Sequence, residues 1–183
     1  MTLKVAALNT DHRHFARILR LMSARFDAFH RGEDIDYELI RDAMFYMTQY
    51  PDRVHHPRED LVFKRLVELA PETRDAVEAQ LAEHEELIRS GAALHETLEQ
   101  VLSDEPVPRD RVEATARNYI ELLREHMIRE EAHLLPMAER LLGDADWTAI
   151  DAELDAHVDP IFGDHGEQRY RNLIDHLKVN DED

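Results

Sequence analysis

Apolar residues recur at helical spacing along most of the chain. Leu8, Phe15, Leu19, Met22 and Phe26 fall on one stripe, because residues three, four or seven apart share a helix face. The stripe predicts a helix from about Thr10 to His30, with Thr10 or Asp11 as its cap, broken by Gly32 and Asp34. A second helix starts near Asp36 and runs through Ile40, Met44 and Met47. Pro51 and Pro57 interrupt it, since each removes a donor and crowds the preceding turn, and a further piece runs from Pro57 to about Leu69. A third starts after Pro71, with Val77, Leu81, His84, Ile88, Gly91, Leu98 and Leu102 on one face. Ser103–Asp110, with Pro106 and Pro108, reads as a loop. A fourth runs from about Arg109 to Leu142, with Val112, Tyr119, Leu122, Leu123, His126, Glu130, His133 and Met137 on one side, and Gly143 ends it.

The remainder predicts a short helix over about Trp147–His157, a break at Pro160 and Gly163, and a last amphipathic helix to about Leu177. Val179–Asp183 reads as a frayed tail. There is no internal repeat. The fold expected is all-α: an antiparallel up-down four-helix bundle over residues 1–145, with a C-terminal helical extension, 146–183, packed on it.

Composition narrows this picture. A chain of 183 residues, 43% hydrophobic and 34% charged, fits one soluble domain with a sizeable core. Only 5 Gly and 7 Pro favour helices over short strands. A net charge of −18 disfavours nucleic acid and anionic membranes as partners. Without Cys there is no disulfide, thiolate site or iron–sulfur cluster, so any metal must be held by nitrogen and oxygen. No signal peptide or membrane span is read, and a cytoplasmic protein is expected.

The candidate chemistry lies on the apolar faces. His12, His55 with Glu59, His84, and His126 with Glu130 are spread over all the predicted bundle helices. Two pairs share the spacing His-x-x-x-Glu, which puts the two side chains about 40° apart on one face. A single inward His reads most simply as a core imidazole bonded to a carbonyl. Burying an unpaired polar group costs roughly 2–7 kcal/mol, so a set of six inward polar residues calls for a cation. Imidazole with carboxylate suits iron, manganese or zinc, and bundles build two-metal carboxylate sites in this way.

The motifs resemble the hemerythrin-like family, also called HHE cation-binding domains. The resemblance is carried by Asn9–His12 (NTDH), Tyr50–Asp60 (YPDRVHHPRED), Glu83–Glu85 (EHE) and His126–Pro136 (HMIREEAHLLP), over about residues 8–140. It implies a four-helix bundle around a non-haem di-iron centre. Carried over, Glu59 and Glu130 would bridge the irons, and His12, His55, His84 and His126 would be terminal ligands. The oxygen carriers of that family have a His-x-x-x-His pair on the third helix. Here Gln80 and Ile88 stand four residues either side of His84, so a site with fewer His ligands is expected, more open to reaction than suited to reversible oxygen carriage. His55 is preferred over His56 for its spacing to Glu59, and Glu130 over Glu131 because Glu131 lies about 140° from His126.

His133 is about 10 Å along the axis from His126 and is read as lying behind the site or in the core; His95 is read as structural. His14, His30, His157, His165 and His176 are read as surface or loop residues, and the run around Glu83–Glu86 as a solvated face. Tyr119 and the Met residues are read as core, with a donor or redox role as the alternative for Tyr119. The expected function is a di-iron protein that binds or reacts with dioxygen, nitric oxide or peroxide, or senses iron or oxygen. Two iron ions are the expected cofactor, with zinc or manganese as alternatives, and a homodimer is allowed. The rival readings are a peroxidase-like or nitric-oxide-handling enzyme, and a metal store or helical interaction module.

Overall fold

Helix α1 spans Val5–His30 and begins earlier than the cap residues suggested. Val5 and Leu8 are buried, so the apolar stripe extends the helix back to Lys4. Asp11 therefore sits inside the helix instead of capping it. The structure, a computed structural model, describes residues 4–154, 157–163 and 168–179. His165 and the tail beyond Val179 lie outside the described residues.

Gly32 turns the chain with φ of 89°, a conformation open to glycine at little cost. Helix α2 (Tyr37–Tyr50) is capped by Asp36, whose carboxylate accepts the Leu39 N–H at 3.0 Å. Pro51 and Pro57 do not break the rod. Pro51–His55 form one π-helical turn, and α3 (His56–Leu69) follows at once, with Pro57 in its first turn where no donor is needed.

A short 3₁₀ turn, Pro71–Thr73, leads into α4 (Arg74–Leu102). Its inward face carries Val77, Gln80, His84, Leu87, Gly91, Leu94 and Leu98. Ile88, predicted on that face, is 44% exposed; Leu87 is the buried neighbour. A Cβ at Gly91 would lie 3.1 Å from Thr48 and 3.2 Å from the Tyr119 ring, so glycine lets α2, α4 and α5 approach closely. Helix α5 (Arg109–Arg129), a second π turn (Glu130–Leu134) and α6 (Leu135–Leu141) form the last rod.

The result is an all-α bundle. α1 packs on α2, α5 and α6; α4 packs on α2, α3 and α5; α3 packs on α6. Helix α7 runs Asp144–Glu153, not Trp147–His157: Asp146 accepts the Gly143 N–H at 2.8 Å and starts it early. It packs on α3, burying Trp147 and Ile150. Helix α8 (Arg171–Val179) packs on α1 and α2.

Two apolar clusters fill the bundle. One holds Phe15, Tyr46, Val54, Leu87, Leu123 and Met127, joined by Ile161, Tyr170, Leu173 and Leu177 of the C-terminal segment. The other holds Leu8, Val62, Phe63, Val77, Leu134 and Leu135, joined by Trp147 and Ile150. Each rod passes from one cluster to the other across its predicted polar residues: between Leu8 and Phe15, Val54 and Val62, Val77 and Leu87, Met127 and Leu134. A buried polar layer therefore separates the two halves of the core.

Candidate metal centre

The six predicted residues meet in that layer. His12, His55, Glu59, His84, His126 and Glu130 are none of them more than 5% exposed, and both carboxylates are fully buried. Glu59 Oε1 lies 3.4 Å from His12 Nε2 and 3.2 Å from His55 Nε2, while its Oε2 lies 3.6 Å from His84 Nε2. Glu130 Oε2 lies 3.4 Å from the Nε2 atoms of His12 and His126, while its Oε1 lies 3.5 Å from His84 Nε2. Each carboxylate thus turns one oxygen towards His12 and the other towards His84.

These atoms have no hydrogen-bond partner. The Nε2 atoms of His12, His55, His84 and His126 and all four oxygens of Glu59 and Glu130 are buried and unsatisfied. Uncompensated burial of even one ion costs several kcal/mol. Orphans are rare in native interiors, and eight of them converging on one spot fit a cation-binding centre. The donors are nitrogen and oxygen alone, the set that suits iron, manganese or zinc.

The outer ring nitrogens, by contrast, are partnered. Nδ1 of His12 faces Glu131 Oε1 at 3.0 Å, Nδ1 of His55 faces Asp11 Oδ2 at 3.0 Å, and Nδ1 of His84 faces Asp60 Oδ1 at 2.8 Å. A carboxylate accepts the Nδ1–H, so each ring presents the bare Nε2 lone pair inward. His126 Nδ1 lies 3.2 Å from Glu83 Oε2 and 2.7 Å from the Gln80 amide, whose oxygen and nitrogen exchange by a half-turn. Arg129 holds that Glu83 carboxylate at 2.9 Å. The acidic run around His84 is therefore not simply solvated: Glu83 orients a site histidine.

Imidazoles and carboxylates also offset one another's charge in the layer. Burial alone would raise Glu59, but the imidazoles of His55 and His12 outweigh it and hold the carboxyl well below its usual range. Burial and the charge of Glu59 would raise Glu130, yet the neighbouring imidazoles of His12, His84 and His126 keep it low as well. Burial would lower His84, but Asp60 and Glu130 carry it up to about 10, so a cation would displace a proton to reach its Nε2.

His56 is the residue the sequence reading underweighted. It is 3% exposed, neither ring nitrogen has a hydrogen bond, its Nδ1 lies 3.4 Å from Asp52 Oδ1, and its ring stacks on His84 with centroids 4.3 Å apart. Ligand atoms of His56, Glu59, His84 and His126 form one compact group, and those of His12, His55 and Glu59 another. The signal was available: Glu59 follows His55 by four and His56 by three, so on a helix the two imidazoles flank the carboxylate at about 40° and 60°. Ile88 points outward, and His56 brings the imidazoles in the layer to five.

The profile of the hemerythrin HHE cation binding domain matches residues 3–138. The chain belongs to the hemerythrin HHE family. Comparison with curated proteins and with solved structures gave no match. In this HHE domain the matched span holds every residue of the polar layer and ends within α6, before α7 and α8.

Other predicted residues fall elsewhere. Glu131 is outside the layer, half exposed, on the far side of the His12 ring. His133 is exposed, because the π turn at Glu130–Leu134 takes about one extra residue and rotates later positions by about 100°. His95 is half-buried beside Phe45. His30 and His157 are exposed. His14, read as a surface residue, is half-buried, since the C-terminal segment folds back and stacks Phe162 on it at 4.0 Å. Tyr119 is buried against Gly91 as a core residue.

Proposed function

We propose that this HHE domain holds two iron ions in the buried polar layer and uses them to bind or react with dioxygen, nitric oxide or peroxide. The observation that carries the reading is the convergence of unpartnered imidazole nitrogens on two fully buried carboxylates, each directing one oxygen to either side. His12 and His55 would hold one ion; His56, His84 and His126 would hold the other; Glu59 and Glu130 would serve both. Bound iron would supply Lewis acidity and one-electron redox chemistry.

The chain's own residues do the rest. Asp11, Asp60, Glu83 and Glu131 fix the ring tautomers. The apolar clusters above and below exclude water, which strengthens every charge interaction inside. The half built on His12 and His55 has one imidazole fewer, so a small ligand is expected there. The Phe15 ring stands edge-on to His55 at 4.9 Å and gives that half an apolar wall, suited to a diatomic or peroxide. No described helix is long and apolar enough to cross a membrane, and the charge of −18 fits a protein free in the cytoplasm without a nucleic-acid partner.

The test is metal analysis and visible spectroscopy of protein purified without added metal, then exposed in its reduced form to oxygen, nitric oxide and peroxide. Two irons per chain and ligand-dependent spectra support the reading. A colourless, zinc-loaded protein without a response overturns it in favour of a metal store or interaction module. Turnover with peroxide or nitric oxide that is lost in His126→Ala would make it an enzyme.

A further inference from the structure

An aromatic path leads from the polar layer to a carboxylate in the C-terminal segment. The Phe15 ring stands edge-on to His55, with centroids 4.9 Å apart, and is 6.4 Å from Tyr46 and 6.3 Å from Tyr50. Tyr46 and Tyr50 stack at 5.7 Å with planes 9° apart. Tyr46 is fully buried, and its hydroxyl donates to Asp159 Oδ2 at 2.8 Å. Asp159 lies outside the span matched by the family profile.

We propose that Tyr46 is a redox-active residue that delivers one electron to the oxidised metal pair and its phenolic proton to Asp159. The step is balanced. The Tyr46 O–H bond breaks, an O–H bond forms on Asp159 Oδ2, the metal pair is reduced by one electron, and Tyr46 becomes a neutral radical. The oxidant is the metal pair after reaction with peroxide or oxygen, so the inference rests on the function proposed above.

Two tyrosines stand at equal reach of Phe15, and their partners decide between them. Tyr50 lies near both Asp11 and the Arg58 guanidinium, whose opposite charges offset one another. Tyr46 faces an anion. Asp159 is held below the usual carboxylate range: its burial is outweighed by His14, whose Nδ1 lies 3.6 Å from Oδ2, by the N–H groups of Phe162 and Ile161, and by Tyr46. In a buried setting the charge of the neighbour acts at low dielectric, so oxidation is easier at Tyr46. The backbone bonds from Ile161 and Phe162, at 2.8 and 2.9 Å, occupy Oδ1 and aim Oδ2 at the phenol.

The experiment mixes reduced, iron-loaded protein with hydrogen peroxide, freezes it at millisecond intervals, and records electron paramagnetic resonance with natural and ring-deuterated tyrosine. The expected result is an organic radical signal that narrows on deuteration. It should be lost in Tyr46→Phe at unchanged iron content, retained in Tyr50→Phe, and at least several-fold weaker in Asp159→Asn. A signal that survives Tyr46→Phe, or iron that oxidises normally in the parent protein with no organic radical, overturns the proposal. Protein that takes up no iron overturns the metal reading beneath it as well, and metal analysis of the same samples separates the two failures.

Discussion

The imidazole of His56 lies almost flat on that of His84, with planes 15° from parallel. Burial, and then the charge of His84, hold His56 well below its usual pKa, so it stays neutral with a lone pair available. Sequence spacing favoured its neighbour His55, yet both residues belong to the layer, on opposite sides of Glu59.

Removing His56 should therefore cost a metal. His56→Ala should lower the loaded content from two ions per chain to one, while Ile88→His, on the exposed face of α4, should leave content and spectrum unchanged. Elemental analysis after chelator wash measures both. Full occupancy in His56→Ala would show that His84, His126 and the carboxylates suffice for the second ion.

Glu130 and Glu131 should separate by kind of effect. Glu130→Ala removes a carboxylate whose two oxygens face both halves of the site, and should abolish binding of at least one ion. Glu131→Ala removes only the partner of His12 Nδ1, and should keep both ions with affinity lower by about 10–100-fold, the usual effect of losing an orienting partner. Competition with a chromophoric chelator measures the difference. Equal effects would mean that Glu131 enters the site in solution.

Metal removal should lower the melting temperature. Ligand bound only by the folded chain stabilises it by about 2.7 kcal/mol at a hundredfold excess over Kd. For a chain of this size each kcal/mol moves Tm by about 2–4 °C. Differential scanning calorimetry of metal-loaded and chelator-stripped protein checks it, and coincident transitions would place metal binding away from the core.

Asp159 should give the C-terminal segment a pH-dependent hold. Its folded pKa is depressed below the ordinary 3.8, so its contribution is fully present above the unfolded pKa and is lost as pH falls through the lower folded value. Bonds to a charged group contribute about 1.5–3 kcal/mol. Asp159→Asn should destabilise by about that amount at pH 7, and the gap to the parent should narrow as pH is lowered towards 4 and below. Thermal melts across that range test the sign; a gap that widens in acid would contradict it.

Periodicity alone determined the helical rods and placed His12, His55, Glu59, His84, His126 and Glu130 on their inward faces, because a residue's face depends only on its local count of turns. The family followed from the same residues. What needed the tertiary structure was everything set by contacts between rods or by a change in local helical pitch. The π turns at Pro51–His55 and Glu130–Leu134 carried the chain through prolines that read as breaks and turned His133 outward. Asp11, Asp60 and Glu131 became partners of histidines on other helices. Asp159 reached Tyr46 from 113 residues away. No spacing along a chain encodes such meetings, since they are fixed by how the apolar stripes of separate helices pack together.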